Sequence, residues 1–365
     1  MKRRQFIQAA AASLATGSIA APAIAQSQPE IKWRMTSSFP KQLDNIYGTA
    51  QTFAKYVAEA TDNKFQIQTF SAGEIVPGLQ ALDAVTSGSV EACQTPLNFY
   101  LGKDPTLSFA TALPFGPNAR LQYSWWHFGG GAEIINGVLA NFKAIAFASG
   151  NSGTQMGGFF RKEIKEVDDL KGLKFRIAGL GGQVLARLGV VPQIIAGGDV
   201  YPALEKGTID AAEFVSPYDD EKLGLHKVAK YYYYPGWWEG GAMLHFAVGL
   251  DYWNKLPKNY QHIWLQACDA SNNWMLGRYD VLNGAALKRM IGQGAELRGF
   301  SQPVMEACFD AAQKLYGELA ANNANFKKAL DSMVPFRTEH YQWWQVGEYS
   351  YDTFMIRMRN KVTAG

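Results

Sequence analysis

The chain has 365 residues, with 35 Lys and Arg against 32 Asp and Glu. Three of the basic residues, Lys2, Arg3 and Arg4, lie in the first 25 positions, which hold no acid, so the rest of the chain is formally neutral. A neutral body offers no basic face for nucleic acid, no later run reaches the ~18 apolar residues of a membrane span, and the scattered Cys93, Cys268 and Cys308 lack metal-ligand spacing and read as single buried thiols.

Residues 1–25 read as a signal peptide rather than as part of the fold. A basic start is followed by a mildly apolar stretch from Phe6 to Ala21, then Ala23-Ile24-Ala25 as an A-x-A cleavage site. Arg3-Arg4-Gln5-Phe6-Ile7 resembles a twin-arginine signal, with an ordinary Sec signal as the other reading. Export to the periplasm and cleavage before Gln26 are expected.

The body opens with Ile31–Thr36, which alternates like a strand, and a break at Ser37-Ser38-Phe39-Pro40. Ile46, Ala50, Phe53, Ala54 and Val57 then recur at helical spacing, and Phe65–Phe70 alternates again. Strand, helix, strand is the start of a parallel sheet with crossover helices, and so of an α/β fold.

From Gly73 the chain reads as a turn at Pro77-Gly78, a short helix over Leu79–Thr86, a stop at Gly88, and a strand opening at Ser89–Ala92. The segment Tyr201–Ala211 repeats the pattern, with Gly207 as the stop. The repeat predicts two similar lobes. Asn98-Phe99-Tyr100 follows the first unit and Glu213-Phe214-Val215 the second, each just past a strand's C-terminal end, where open α/β sheets bind ligands. The two segments are therefore expected to face one cleft.

Ala132–Phe142 is predicted helical, Lys143–Ala148 a strand, and Met156–Arg161 a strand in the second lobe. Leu173–Ile177 and Thr208–Ala212 read as further strands, and Ala242–Val248 as the return to the first lobe. Beyond Pro257, helices are predicted over Tyr260–Ile291, Pro303–Asn322 and Tyr341–Met358. The last is so rich in rings that it lies either under the lobes or against a partner. The expected organisation is a first lobe over 26–150 with part of 243–300, a second over 151–240, and a C-terminal helical region over 301–365.

Three runs carry a resemblance: Asp169–Ile177, the Gly-Gly-Asp-Val-Tyr-Pro-Ala-Leu-Glu-Lys-Gly-Thr-Ile-Asp-Ala run from Gly197, and Pro-Tyr-Asp-Asp-Glu-Lys-Leu-Gly from Pro217. They resemble the solute-binding proteins of tripartite ATP-independent periplasmic (TRAP) transporters, closest to the branch that binds 2-oxo acids such as pyruvate with sodium. The resemblance implies a two-lobed periplasmic binding protein with a hinge and a long C-terminal helix that mediates a homodimer. It further implies delivery of the acid to a membrane permease.

Arg176 ends an apolar strand, and a buried guanidinium needs a partner. That partner is a ligand carboxylate held by its fork or a structural acid; the resemblance favours the ligand. Gln155 reads as a satisfied amide or a site residue, and the resemblance makes it an ion ligand. The resemblance likewise makes the Glu213 side chain and the Phe214 carbonyl ion ligands, an all-oxygen set suited to a hard cation, sodium or alternatively calcium. Phe214 stands where the family usually has Trp, which puts the exact ligand in doubt. Glu239 reads as a third carboxylate near the ion or as a lobe-bridging partner of an Arg. Asn98, Phe99 and Tyr100 are expected to cap the ligand.

The five histidines show no zincin or triad spacing and read as structural. The expected function is binding of a 2-oxo monocarboxylate with a cation. Another organic acid (lactate, a dicarboxylate or a sugar acid) is the second reading, and an enzyme using Glu213 and Glu239 as an acid–base pair the third.

Overall fold

The structure, a computed structural model, describes residues 28–361. The expected signal peptide and cleavage site lie outside the described residues. Eleven strands among those residues form two sheets. The first, in the order β2-β1-β3-β10-β4, uses β1 (Ile31–Ser37), β2 (Phe65–Phe70), β3 (Ala92–Thr95), β4 (Ala144–Asn151) and β10 (Met243–Gly249). The second runs β11-β9-β5-β8-β6-β7. Its strands are β5 (Gly158–Phe160), β6 (Lys174–Arg176), β7 (Val191–Gln193), β8 (Ala211–Ala212), β9 (Tyr231–Tyr234) and β11 (Glu296–Gly299). This is the mixed α/β, two-lobed architecture expected.

The internal repeat is a repeat of environment as well as of sequence. Helix α1 (Ile46–Ala60) crosses from β1 to β2, and α2 (Ala81–Thr86) leads into β3. In the second sheet α3 (Val200–Glu205) leads into β8 in the same way. Gly88 and Gly207 both end their helices at positive φ, +76° and +69°, where a Cβ is disfavoured. β3 lies between a parallel neighbour, β1, and an antiparallel one, β10; β8 lies between parallel β6 and antiparallel β5.

α1 buries Ile46, Ala50, Phe53 and Val57, the stripe its spacing predicted. Trp33, Phe53 and Phe65 meet Trp264 to form the aromatic core beneath the first sheet. Trp264 belongs to α5 (Lys258–Gly292), which lies beyond α4 (Pro217–Leu223) in the chain. α5 packs Trp264 and Cys268 against the first sheet, then Met275, Tyr279 and Met290 against residues of the second. One continuous helix therefore braces both lobes.

Several elements differ from the sequence reading. Tyr231–Tyr234, for which no strand was predicted, form β9 inside the second sheet, with Tyr232 and Tyr233 buried. β7 and β11 were not predicted. The run read as a strand over Thr208–Ala212 is a strand only at Ala211–Ala212. Just before it, the Asp210 N–H donates to the Lys174 carbonyl (2.7 Å), and the Asp210 carboxylate accepts from the Lys174 N–H (3.0 Å). At the C-terminus, α6 (Gln302–Asn322) is followed by α7 (Ala324–Trp344), a π-turn over Gln345–Tyr349, and α8 (Ser350–Met358). Asn323 accepts from the Phe326 N–H (2.8 Å) and so caps α7, whose first part lies between the helices predicted over Pro303–Asn322 and Tyr341–Met358. The three cysteines are free and buried, as read.

Met333 is the last buried side chain of α7, although Arg337 still donates to the Phe115 carbonyl and Arg120 lies over the Trp344 ring, 4.9 Å from its centre. Beyond Met333, Trp343 is 70% exposed and Tyr351 64% exposed, and Tyr349, Phe354 and Ile356 are exposed as well. Of the two positions open to this helix, lying under the lobes is thereby excluded.

Candidate functional site

The C-terminal ends of β6 and β8 are neighbours because these strands are parallel, with Arg176 opposite Ala212. The Glu213 N–H donates to the Arg176 carbonyl (3.0 Å), which fixes the two residues side by side. Gly158 permits the chain carrying Gln155 to pass close behind. Its φ is +85°, and a Cβ there would sit 2.5 Å from the Ala212 carbonyl oxygen. From the other lobe, Asn98 reaches over Gly179, where a Cβ would lie 2.9 Å from the Asn98 amide nitrogen.

These approaches enclose a cavity of about 40 Å³, against the roughly 10–15 Å³ that one water needs. Arg176, Glu213, Glu239, Gln155 and Asn98 form its polar side; Phe39, Ile46, Phe99 and Leu244 its apolar side. The space suits a ligand of a few heavy atoms.

Arg176 is buried, and its Nε donates to the Ile195 carbonyl (3.1 Å). Nη1 donates to both the Glu213 carbonyl and the Glu213 carboxylate, the latter at 3.1 Å. The Phe214 ring lies under the guanidinium, 5.1 Å away. Nη2 has no hydrogen-bond partner among the described residues. The pairing with a structural acid is thus present, and one edge of the fork still carries unused donors.

Burial raises the Glu213 carboxyl well above the usual carboxylate range; the Arg176 charge opposes this, and Glu239 adds to it. Glu239 is pushed up to about 7, again mainly by burial, with Arg176 and the Asn98 and Gln155 amides pulling the other way. Asn98 donates to Glu239 at 2.8 Å, so Glu239 bridges toward the other lobe through an amide rather than an Arg. Gln155 donates from its amide nitrogen to Ser152 Oγ (3.0 Å). Its Oε1, like Asn98 Oδ1, is buried with no partner among the described residues.

Two carboxylates that burial disfavours, and an amide oxygen without a donor, are what a hard cation would satisfy. No group of three or more His, Cys, Asp or Glu among the described residues is placed to hold a metal. The donor set fits an oxygen-seeking ion, not a soft or transition metal.

Seven of the eight predicted site residues line this cavity: Arg176, Gln155, Asn98, Phe99, Phe214, Glu213 and Glu239. Tyr100 does not. It is buried in the core, its hydroxyl accepting from the Leu82 N–H (2.9 Å) and bonded to Thr95 Oγ1 (3.0 Å). Leu97–Tyr100 is a 3₁₀ turn, so residues three apart share a face: Leu97 and Tyr100 point inward while Asn98 and Phe99 point to the cavity. Sequence reasoning missed Phe39, Ile46, Ser152 and Leu244. The Ser-Ser-Phe-Pro break at Phe39 was the one available signal, since chain breaks beyond strand ends are where such walls form.

Residues 36–323 match the family described as bacterial extracellular solute-binding protein, family 7. A monocarboxylate 2-oxoacid-binding periplasmic protein of Nostoc is 49% identical over 360 residues, covering 97% of this chain and 99% of that protein. A TRAP transporter solute-binding protein of Bordetella bronchiseptica superposes with a TM-score of 0.91 at 44% identity, covering 92% of this chain and 100% of that one. It is described as a mixed-occupancy dimer, with copurified calcium and picolinate in one active site and the other apo. A TRAP periplasmic solute-binding protein of Pseudoalteromonas atlantica, solved with sodium and pyruvate, gives a TM-score of 0.86 at 35% identity, covering 88% and 98%.

Proposed function

Because the chain belongs to family 7 of the bacterial extracellular solute-binding proteins, as a TRAP transporter receptor and not an enzyme, we propose that it binds a small 2-oxo monocarboxylate together with a hard cation. One observation carries the reading. Arg176, with free Nη2 donors, and the unpartnered Gln155 Oε1 beside two carboxylates face the same small cavity. In this reading Arg176 takes the ligand carboxylate. Gln155, Glu213, the Phe214 carbonyl and Glu239 hold the cation, with Asn98 and Phe99 capping the acid. The cation supplies positive charge to the ligand oxygens; the chain's residues orient both partners and exclude water, which strengthens the contacts.

The charge count bears on the ion. Arg176, Glu213 and Glu239 sum to −1, and a monocarboxylate makes the sum −2. Calcium closes it; sodium leaves one negative charge, which a proton on Glu239 would offset. Both ions are consistent with the donor set, and calcium is expected to bind more tightly.

The apolar side of the cavity sets the class of acid. A second carboxylate against Phe39, Ile46 and Leu244 would be buried without a cation, at a cost of several kcal/mol. In a calorimetric screen with sodium or calcium present, pyruvate is expected to bind and 2-oxoglutarate to bind at least about a hundredfold more weakly. Equal affinity for the two would remove the monocarboxylate assignment.

We further propose a first lobe of 26–150 with part of 243–300, a second of 151–240, export by a cleaved signal peptide to the periplasm, and delivery of the acid to a TRAP permease. The exposed apolar face from Trp343 to Ile356 supports a homodimer built on the C-terminal helix. Light scattering after size exclusion is expected to give a dimer, and the pair Phe354→Glu and Ile356→Glu a monomer. A monomeric parent protein would contradict this.

A further inference from the structure

The two segments that wall the cavity also meet outside it. Asp44 lies in the loop after β1, between Phe39 and Ile46 of the cavity wall. α4 begins two residues beyond Val215, on the facing wall. Across this gap Asp44 Oδ1 accepts from the Tyr218 hydroxyl (3.0 Å) and pairs with Lys222 Nζ (2.7 Å). Asp44 Oδ2 pairs with Arg278 Nη2 of the bracing helix α5 (3.2 Å). Lys222 also stacks over the Tyr218 ring, 4.9 Å from its centre.

One carboxylate thus joins a loop of the first lobe, a helix of the second and the helix that spans both. The cluster sits over an apolar seam in which Phe39 and Leu43 share a cluster with Val215 and Leu223. None of Asp44, Tyr218, Lys222 or Arg278 lines the cavity. Their contacts require the two lobes to be together, and they touch no part of the ligand space. Such contacts act on how long the closed form lasts, not on which ligand it holds.

We propose that Asp44 is a positioning residue for ligand binding: with Tyr218 and Lys222 it latches the lobes over the cavity and sets the rate of ligand release. The inference rests on the acid-binding reading only for its kinetic consequence, because the latch itself is a contact between lobes.

The test uses the full chain and the variants Asp44→Asn and Tyr218→Phe. Both changes are partly exposed or remove a single atom, and a melting curve checks that each variant folds. Pyruvate in sodium-containing buffer is the probe for release, followed by stopped-flow displacement. In parallel, spin labels on Lys55→Cys and Lys206→Cys report lobe separation; the native cysteines are buried and do not compete for label. Release from each variant is expected to be about three- to tenfold faster, with association unchanged, since exposed ion pairs and single hydrogen bonds are worth that much in sum. The distance distribution is expected to lose its short component. The effects of Asp44→Asn and Lys222→Ala on release are expected to be less than additive, as they are for direct partners.

An unchanged distance distribution in both variants overturns the latch, whatever pyruvate does. A changed distribution with no pyruvate binding to the parent protein supports the latch and overturns the acid-binding reading instead.

Discussion

Arg176→Ala is expected to weaken acid binding by at least about a hundredfold. The guanidinium is 3% exposed and is held from two sides by the Ile195 carbonyl and by Glu213. Those bonds fix its plane, so that its Nη2 donors are set in advance for a ligand carboxylate. Removing it deletes that contact and also leaves Glu213 buried beside Glu239 without a counter-charge. The first loss falls on affinity, since truncating one partner of a buried, hydrogen-bonded charge pair with the ligand costs about 3 kcal/mol or more, or two decades; the second falls on the stability of the fold. Arg176→Lys is expected to fail nearly as badly. An ammonium cannot bond Ile195, Glu213 and the ligand from one rigid fork. Calorimetry with pyruvate and sodium measures both variants, and affinity within threefold of the parent would take Arg176 out of the site.

Glu213→Gln is expected to separate the acid from the cation. The change keeps the shape and one oxygen donor but removes a charge that burial already disfavours. The fold is expected to lose some stability, because buried Arg176 keeps the Glu213 backbone carbonyl as an acceptor but loses its paired carboxylate. The melting temperature is expected to fall. Binding of the cation should weaken by at least about tenfold, and the acid affinity should stop responding to sodium or calcium. Fluorescence or calorimetric titration of each ion, with and without pyruvate, gives both quantities. An undiminished cation response in this variant would move the ion away from Glu213.

The site's polar half was legible in the sequence because its residues stand just past strand ends. Arg176 and Glu213 follow recognisable strands, and the helix–Gly–strand repeat brought Asn98 to the same cleft. Tyr100 was misplaced because the 3₁₀ turn over Leu97–Tyr100, unlike a strand, returns every third side chain to the same face. The apolar half was not legible. Phe39 and Ile46 stand about 200 residues from Leu244, and only the order of the first sheet, with β3 between β1 and β10, brings them together. Asp44 was invisible for the same reason: nothing local marks a surface aspartate whose partners are Tyr218, Lys222 and Arg278.

Local signals also explain the other differences. The predicted helix ends at Asn322, yet Asn323 both ends α6 and caps α7, so a second helix follows with one residue between them. The short strands β7 and β11 sit at the two edges of the second sheet, where each pairs on one side only. Three or four residues with so little burial leave no periodic trace. The resemblance to TRAP solute-binding proteins ran through Asp169–Ile177 and the run from Gly197, and those runs build β6, α3 and β8, the frame of the site.

In the proposed function, acid and cation share one cavity and help each other bind. Titrating pyruvate into the protein in cation-free buffer, then in sodium and in calcium, tests it most directly. Affinity for pyruvate is expected to rise with either ion, and affinity for the ion to rise by the same factor when pyruvate is present. Equal pyruvate affinity with and without the ions would contradict the account.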